Sequence, residues 1–141
     1  MFDDYHKVIV GRELSGRWTT FKKIVDDYND NPKFNVIKFD AMALNVQDKL
    51  KSIHDTNKIN VICIEHYTQC KDIEKIILDY CDCHNAIFII SDVVNRDVTF
   101  GDDFIVITTL SNNDDSGLRL RVESSSALKI EEFYINQNLI I

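Results

Sequence analysis

The sequence predicts an α/β fold in which a mainly parallel β-sheet is covered by helices. Short apolar segments, typical of strands buried on both faces, alternate along the chain with longer segments that repeat apolar residues at helical spacing. Parallel neighbours cannot be joined by tight turns and need helical crossovers, so this alternation favours a parallel sheet.

Five strands and three helices are predicted in the first 110 residues. The strands are expected at 8–10, 34–39, 59–64, 86–90 and 104–110. The helices are expected at 18–28, at 40–56 with Asp40 as N-cap, and from Thr68 or Gln69 to Cys81. A polar segment, 95–103, precedes the fifth strand. Leu118, Leu120 and Val122 alternate with arginines and predict a half-exposed strand, and 127–141 is interpreted as a short helix followed by a strand.

Length and charge limit the class of protein. A chain of 141 residues is long enough for one domain, here 1–141 with a core of about 5–110 and a C-terminal β or α/β extension at 111–141. With 45% hydrophobic and 28% charged residues it is typical of a globular protein. The net charge of −7 argues against broad binding to nucleic acid or anionic membrane, and leaves nucleic acid only through a partner or a local patch.

The chain also carries indications of its compartment. It has no apolar stretch near the ~20 residues of a membrane span, and its N-terminus lacks the regions of a signal peptide. Its four cysteines are expected to be reduced thiols. We therefore predict a cytoplasmic protein without membrane contact. Its composition suggests a viral origin, in which case it would lie in the host cytoplasm or nucleus.

The loop after the first strand is the strongest local motif. Two of the four glycines, Gly11 and Gly16, lie five residues apart between a predicted strand and a predicted helix. Glycine lets backbone approach a ligand closely, and a helix N-terminus attracts anions. The spacing is that of a phosphate-binding loop, with Arg17 in place of the usual lysine. Together with Ser15 and Thr19, these residues are the candidate nucleotide-binding residues of the loop.

Polar residues also follow three other predicted strands. They are Asp40, Glu65, His66, Ser91 and Asp92. Ligands of parallel sheets bind beyond the carboxyl ends of the strands, so these side chains and the glycine loop are expected at one edge. Because strands of any α/β protein end in polar loops, a purely structural role remains an alternative.

These motifs resemble the P-loop NTPase superfamily, over about residues 5–110, especially the compact cores of AAA+, clamp-loader and viral packaging ATPases. Gly11, Gly16 and Arg17 match a degenerate phosphate-binding (Walker A) loop. The segment 61–66 resembles the apolar strand whose acidic end holds magnesium and positions water, with Glu65 at the first acidic position and His66 at the second. The segment 89–92 resembles the sensor strand, whose polar tip contacts the terminal phosphate.

The resemblance implies a three-layer sandwich with strand order 5-1-4-3-2, and ATP and Mg²⁺ as cofactors. It implies Glu65 and His66 as catalytic residues, Glu65 and Thr19 as Mg²⁺ ligands, and Ser91 and Asp92 as nucleotide contacts. Departures from the pattern predict weakened or lost hydrolysis. The fork of Arg17 is larger than a lysine ammonium. Trp18, which cannot ligate Mg²⁺, stands in place of the metal hydroxyl and is predicted to be a core residue.

Three functions follow as alternatives. The first is a nucleotide-binding-fold subunit of a larger assembly. In such an assembly this chain would supply an arginine (Arg96, Arg119 or Arg121) to the nucleotide site of a neighbouring subunit. The second is an active small ATPase or nucleotide kinase, and the third is a protein–protein interaction module, of viral or phage origin, that binds no nucleotide. No zinc is expected, because the spacing of Cys70, Cys81, Cys83 and His84 does not form paired knuckles.

Overall fold

The computed structural model describes residues 5–93, 100–110, 119–124 and 130–134. The strands are β1 (His6–Val10), β2 (Phe34–Asp40), β3 (Ile59–Glu65), β4 (Ala86–Asp92), β5 (Phe104–Leu110), β6 (Arg119–Ser124) and β7 (Ile130–Tyr134). The helices are α1 (Arg17–Asn29), α2 (Val46–Lys51) and α3 (Ile73–Cys81), and a 3₁₀ turn spans Tyr67–Gln69.

The strands form one sheet in the order β2-β3-β4-β1-β5-β6-β7. The first five are parallel, and β6 and β7 extend the sheet with antiparallel neighbours. The predicted order of the five parallel strands and the C-terminal β extension are therefore confirmed. β1 lies between β4 and β5, and every residue of β1 and β4 is buried, as expected of continuous apolar runs at the centre of a parallel sheet.

Helices cover both faces of the sheet, which gives the three layers. On one face α1 packs Phe21, Ile24, Val25 and Tyr28 against the odd-numbered residues of the central strands, such as Ile9. On the other face lie α2 and α3, which pack against even-numbered residues of β1, β3 and β4. The alternation follows from the strand period of two, and it fixes which strand-end side chains face α1.

The predicted helix 40–56 is wrong in its length and its cap. Asp40 is the last residue of β2, in register with Glu65, and its Oδ1 accepts a hydrogen bond from the Met42 amide at 2.8 Å. The helix starts only at Val46, where the Asn45 side chain accepts from the Asp48 amide at 3.1 Å. Asp40 thus caps a turn at the strand end, and the true N-cap is Asn45.

Two further boundaries differ from the sequence prediction. The third helix starts at Ile73 and not at Thr68 or Gln69, because Asp72 takes a left-handed backbone (φ 61°) that interrupts the helical path. In the tail, β6 confirms the half-exposed strand from residue 119 onward, and Leu118 lies outside the described residues. Residues 130–134 form a strand that pairs with β6, so the strand expected within 127–141 begins by residue 130. The rest of 127–141 and most of 95–103 also lie outside the described residues.

Two buried polar residues begin β1, which the sequence prediction started at Val8. Lys7 is fully buried, and its Nζ donates to the Tyr5 carbonyl and to Tyr28 Oη, both at 2.6 Å. The His6 ring is buried beside Phe88, whose amide donates to His6 Nδ1 at 3.0 Å. Buried polar groups need such partners, and here the backbone and a tyrosine supply them. Among the helices that the structure describes, none is long and apolar enough to cross a membrane.

Candidate functional site

The loop between β1 and α1 is folded tightly and ends in a left-handed glycine. The Ser15 amide donates to the Arg12 carbonyl at 3.2 Å, and Leu14 has a positive φ of 62°. Gly16 precedes α1 with φ 89°, a conformation that costs little only for glycine. No side chain caps the helix N-terminus. The first-turn amides of α1 therefore have no side-chain acceptor, and free amides of this kind are what attract anions to helix N-termini.

Gly11 is required for a close contact inside the protein. A Cβ at Gly11 would lie 1.9 Å from Thr109 Oγ1 and 2.6 Å from Ser15 Oγ. Ser15 is buried, donates to the Arg12 carbonyl at 2.6 Å and shares a short hydrogen bond with Thr109 Oγ1. Gly11 and Ser15 thus fasten the loop to β5, which explains both residues without a ligand.

Arg17 and Ser91, which are far apart in the sequence, come together at the carboxyl edge. Nη1 of Arg17, the first residue of α1, donates to Ser91 Oγ near the end of β4 at 2.7 Å. The contact ties the start of α1 to the sheet. An anion bound at the loop would have to compete with Ser91 for this guanidinium.

Three of the candidate residues form a row across the sheet. Asp40, Glu65 and Ser91 are register partners on the neighbouring strands β2, β3 and β4, so their side chains leave the same face, about 4.8 Å apart from strand to strand. Asp40 Oδ1 also contacts His66 Nδ1 at 3.0 Å. The Met42 amide bond, and secondarily His66, hold the pKa of Asp40 below its usual value. Within the described part of the chain, the Glu65 carboxylate has no hydrogen-bond or ion-pair partner, although the residue is half-buried.

Asp92 lies apart from this row. Its Oδ2 accepts from the Thr68 amide at 3.2 Å and from Thr68 Oγ1, and its Oδ1 accepts from the Val93 amide at 2.7 Å. Adjacent strand residues point to opposite faces, so Asp92 leaves the sheet on the face opposite Ser91. Its observed role is to hold the turn after β3.

The two candidate magnesium ligands line different cavities. Thr19 is exposed and lines a cavity of about 510 Å³ beside the glycine loop, whereas Glu65 lines one of about 360 Å³ between α1 and β2. Among the described residues, no group of three or more His, Cys, Asp or Glu side chains could hold a metal. Of the zinc candidates, His84 pairs with Asp55 at 2.9 Å, and the Cys81 thiol lies 3.7 Å from His6 Nε2.

Trp18 lies at the rim of both cavities and is 56% exposed, so the prediction that it is a core residue is wrong. The buried residues of α1 are Thr20, Phe21, Ile24, Val25 and Tyr28. Trp18 is in the first turn of α1, where it borders these two cavities instead of packing under the sheet.

Sequence reasoning missed a set of exposed apolar side chains at this edge. Five large hydrophobic residues are exposed in the described structure: Leu14, Trp18, Met42, Leu44 and Val93. All five lie in segments that follow β1, β2 or β4, so they share the carboxyl edge with the loop. We call these residues the edge patch. A sequence signal existed, because Met42 and Leu44 do not fit the helical spacing of the segment to which they were assigned.

The arginines proposed for a neighbouring subunit's site are placed only in part. Arg119 and Arg121 lie in β6, in register with Leu110 and Thr108 at the carboxyl end of β5. Arg96 lies outside the described residues.

In comparisons with models of known protein families and with curated proteins, the chain matches none. By its fold the chain is a three-layer α/β domain.

Proposed function

We propose that this chain is a binding subunit of a larger assembly, that it docks a partner protein through the carboxyl edge of its sheet, and that its hydrolytic activity is weakened or lost. The observation that carries the proposal is the edge patch. Five exposed apolar side chains gathered at one edge are what a protein interface requires, whereas scattered single residues would need no explanation. Trp18 and Met42 belong to residue types enriched at interfaces.

Weak or absent turnover is supported by the separation of the candidate catalytic parts. Phosphoryl transfer needs a cation on the phosphates, a metal and a residue that positions water, all acting on one bound nucleotide. Here Arg17 is hydrogen-bonded to Ser91, and Thr19 and Glu65 line different cavities. The residues present do not fit a magnesium site of the usual kind. An active small ATPase or nucleotide kinase is therefore the least supported of the three alternatives.

Nucleotide binding without turnover is the second candidate. Its support is Arg17 at the first position of a 13-residue helix whose N-terminus lacks a side-chain cap, beside the cavity of about 510 Å³. The Arg17 guanidinium would exchange its bond to Ser91 for one to a phosphate oxygen. ATP is then the expected ligand, and Mg²⁺ would come bound to it. The experiment is a thermal shift and calorimetric titration with MgATP, in which Arg17→Ala abolishes the effect.

The test of the first candidate is partner capture by paired variants. Wild type and a Leu14→Glu/Met42→Glu double variant, both folded by circular dichroism, are cross-linked in extract from the native source. The expected result is a specific cross-linked partner that reproducibly follows wild type and is lost with the double variant. A matched control, Thr56→Glu/Asn57→Glu, changes exposed residues in another loop and should retain that partner. If the double variant retains it as well, the proposal fails.

We propose that this subunit works in a reducing compartment such as the cytoplasm. All four of its cysteines, Cys63, Cys70, Cys81 and Cys83, are free thiols. Burial raises the pKa of Cys63 to about 12, so this thiol stays protonated and behaves as a small apolar core residue.

A further inference from the structure

The strand β2 forms an open edge of the sheet. In the described structure it pairs only with β3, and residues 35–39 make no backbone hydrogen bonds outside that ladder. Its outward amides and carbonyls are therefore available to another strand. Natural edges are usually protected by charges, proline or bulges, but in β2 the only charged residue before Asp40 is Lys38.

A groove lies beside this edge, between β2 and α1. It contains the cavity of about 360 Å³ described above. Its walls are Trp18, Phe21, Lys22, Val25 and Asp26 of α1 and Lys38, Phe39 and Asp40 of β2, and its floor is Cys63 and Glu65 of β3. An extended segment that added to β2 would pass over this cavity. Alternate side chains of an added strand point to the same face, so one of them would enter the cavity.

The lining of the cavity indicates which side chain it accepts. Phe21, Val25 and Cys63 offer apolar surface, Trp18 offers an aromatic face, and the Glu65 carboxylate has no partner among the described residues. A long cationic side chain can pack its aliphatic stem on the apolar part while its head reaches a carboxylate. Aromatic faces attract cations, arginine in particular.

Among the described carboxylates around the cavity, Glu65 is the unpaired one. Lys22 lies 3.5 Å from Asp26, and Asp40 contacts His66 at 3.0 Å, so these four groups are paired. Lys38 is exposed at the strand edge. A carboxylate removed in part from water gains most from a charge-assisted bond, and the planar fork of arginine can make two of them.

We propose that β2 and this cavity bind an extended segment of the partner protein, which adds a strand to β2 and inserts an arginine side chain between Trp18 and Glu65. This inference rests on the proposed function, since it specifies the kind of segment that the carboxyl edge would receive. It adds two details to that function: the segment pairs with an edge strand, and the residue that anchors it is positively charged.

The experiment uses the ¹⁵N-labelled 141-residue chain and an N-acetylated, C-amidated peptide, Val-Thr-Arg-Val-Thr. Matched peptides carry norleucine or glutamate in place of the arginine. The arginine peptide should shift the amide signals of 35–39 and the indole signal of Trp18. The norleucine peptide should bind about tenfold more weakly, since the charged bond is lost, and the glutamate peptide should not bind.

Two variants test the anchor itself. Glu65→Gln should weaken binding of the arginine peptide about tenfold and leave binding of the norleucine peptide unchanged. Glu13→Gln, which makes the same chemical change on an exposed loop residue, should have no effect. Trp18→Ala should also weaken binding of the arginine peptide. Because Trp18 is largely exposed, this variant is expected to fold even if Glu65→Gln does not.

Several outcomes would overturn the inference. Equal binding of the arginine and norleucine peptides would contradict the cationic anchor. If the β2 amide signals do not shift at millimolar peptide, strand addition to β2 is contradicted as well. The proposed function fails in a different way, when the Leu14→Glu/Met42→Glu variant retains the cross-linked partner. If that variant loses the partner but Glu65→Gln retains it, the edge patch binds a partner and this cavity does not.

Discussion

Protonation of His6 is expected to destabilise the fold in a defined pH range. The Phe88 amide donates to Nδ1, so Nδ1 must be an acceptor and the neutral ring carries its proton on Nε2, 3.7 Å from the Cys81 sulfur. A second proton would have to go on Nδ1, directly facing an amide donor. The ring also packs against Phe88 and Phe104, at centroid distances of 5.8 and 5.1 Å, where a charge is poorly solvated.

The size of the effect follows from the pKa. Burial, and secondarily the charge of Lys7, lower the pKa of His6 from 6.5 to about 4, against a smaller opposing effect of Asp103. Because the folded pKa is below the unfolded one, the unfolded chain takes up the proton first as the pH falls. The free energy of unfolding should therefore be unaffected above about pH 6.5 and should decrease below it. At about 1.4 kcal/mol per pKa unit, the total loss is about 3 kcal/mol by pH 4.

The measurement is urea unfolding of wild type and His6→Gln at several pH values between 7.5 and 4.5. The difference between the two proteins isolates His6 from the titration of surface carboxylates. It should shrink as the pH falls, because only wild type can be protonated at this position. His54→Gln, at an exposed site, is the matched control and should follow wild type. If wild type and His6→Gln lose stability in parallel from pH 6.5 to 4.5, the argument from burial is refuted.

Four further outcomes follow from the described contacts. Gly11→Ala should destabilise the fold by about 1–3 kcal/mol in urea unfolding, because its Cβ would overlap Thr109 Oγ1, and Thr109→Ala in the same chain should restore part of the loss. Gly16→Ala should cost about 1 kcal/mol or more, since φ 89° is strained for alanine, and an unchanged midpoint would contradict this. Trp18, the only tryptophan, should show red-shifted fluorescence that iodide quenches; a blue, protected emission would contradict its exposure. The pKa of Asp40 is lower in the folded protein than in the unfolded chain, so the ionised carboxylate stabilises the fold above the unfolded pKa. This stabilisation should be lost as the pH falls through the folded pKa, and urea unfolding of Asp40→Asn should not show that loss.

The sheet was predictable because its strands differ sharply from the rest of the chain. The apolar runs at 86–90 and 59–64 are too short for helices and too continuous for half-exposed strands, and the helical segments between them dictate parallel crossovers. The strand order was taken from the resemblance to P-loop NTPases, and the observed order of the five parallel strands is the same. Periodicity failed at boundaries such as Asp40, because the same residue type caps helices and ends strands.

The site was predictable only as a location. The positions of polar residues after strands placed Arg17, Asp40, Glu65 and Ser91 at one edge, and the register of β2, β3 and β4 aligns three of them. What each side chain contacts depends on atoms far away in the sequence. Gly11 suggested a ligand, but Thr109, almost a hundred residues later, occupies the space beside it. No local pattern reports such a contact.

The position of β1 between β4 and β5 has a consequence for biosynthesis. His6 to Val10 pair with residues near 90 on one side and near 106 on the other, so β1 lacks both of these parallel neighbours until β4 and β5, which come much later in the sequence, have been synthesised. Closing such distant contacts is entropically costly and slow. During translation, the loop and the first turn of α1 therefore cannot take their final places until β5 has emerged from the ribosome. A chain that ends before residue 104 should be unable to present the edge patch, so the partner binding that we propose would itself report that synthesis had passed this point.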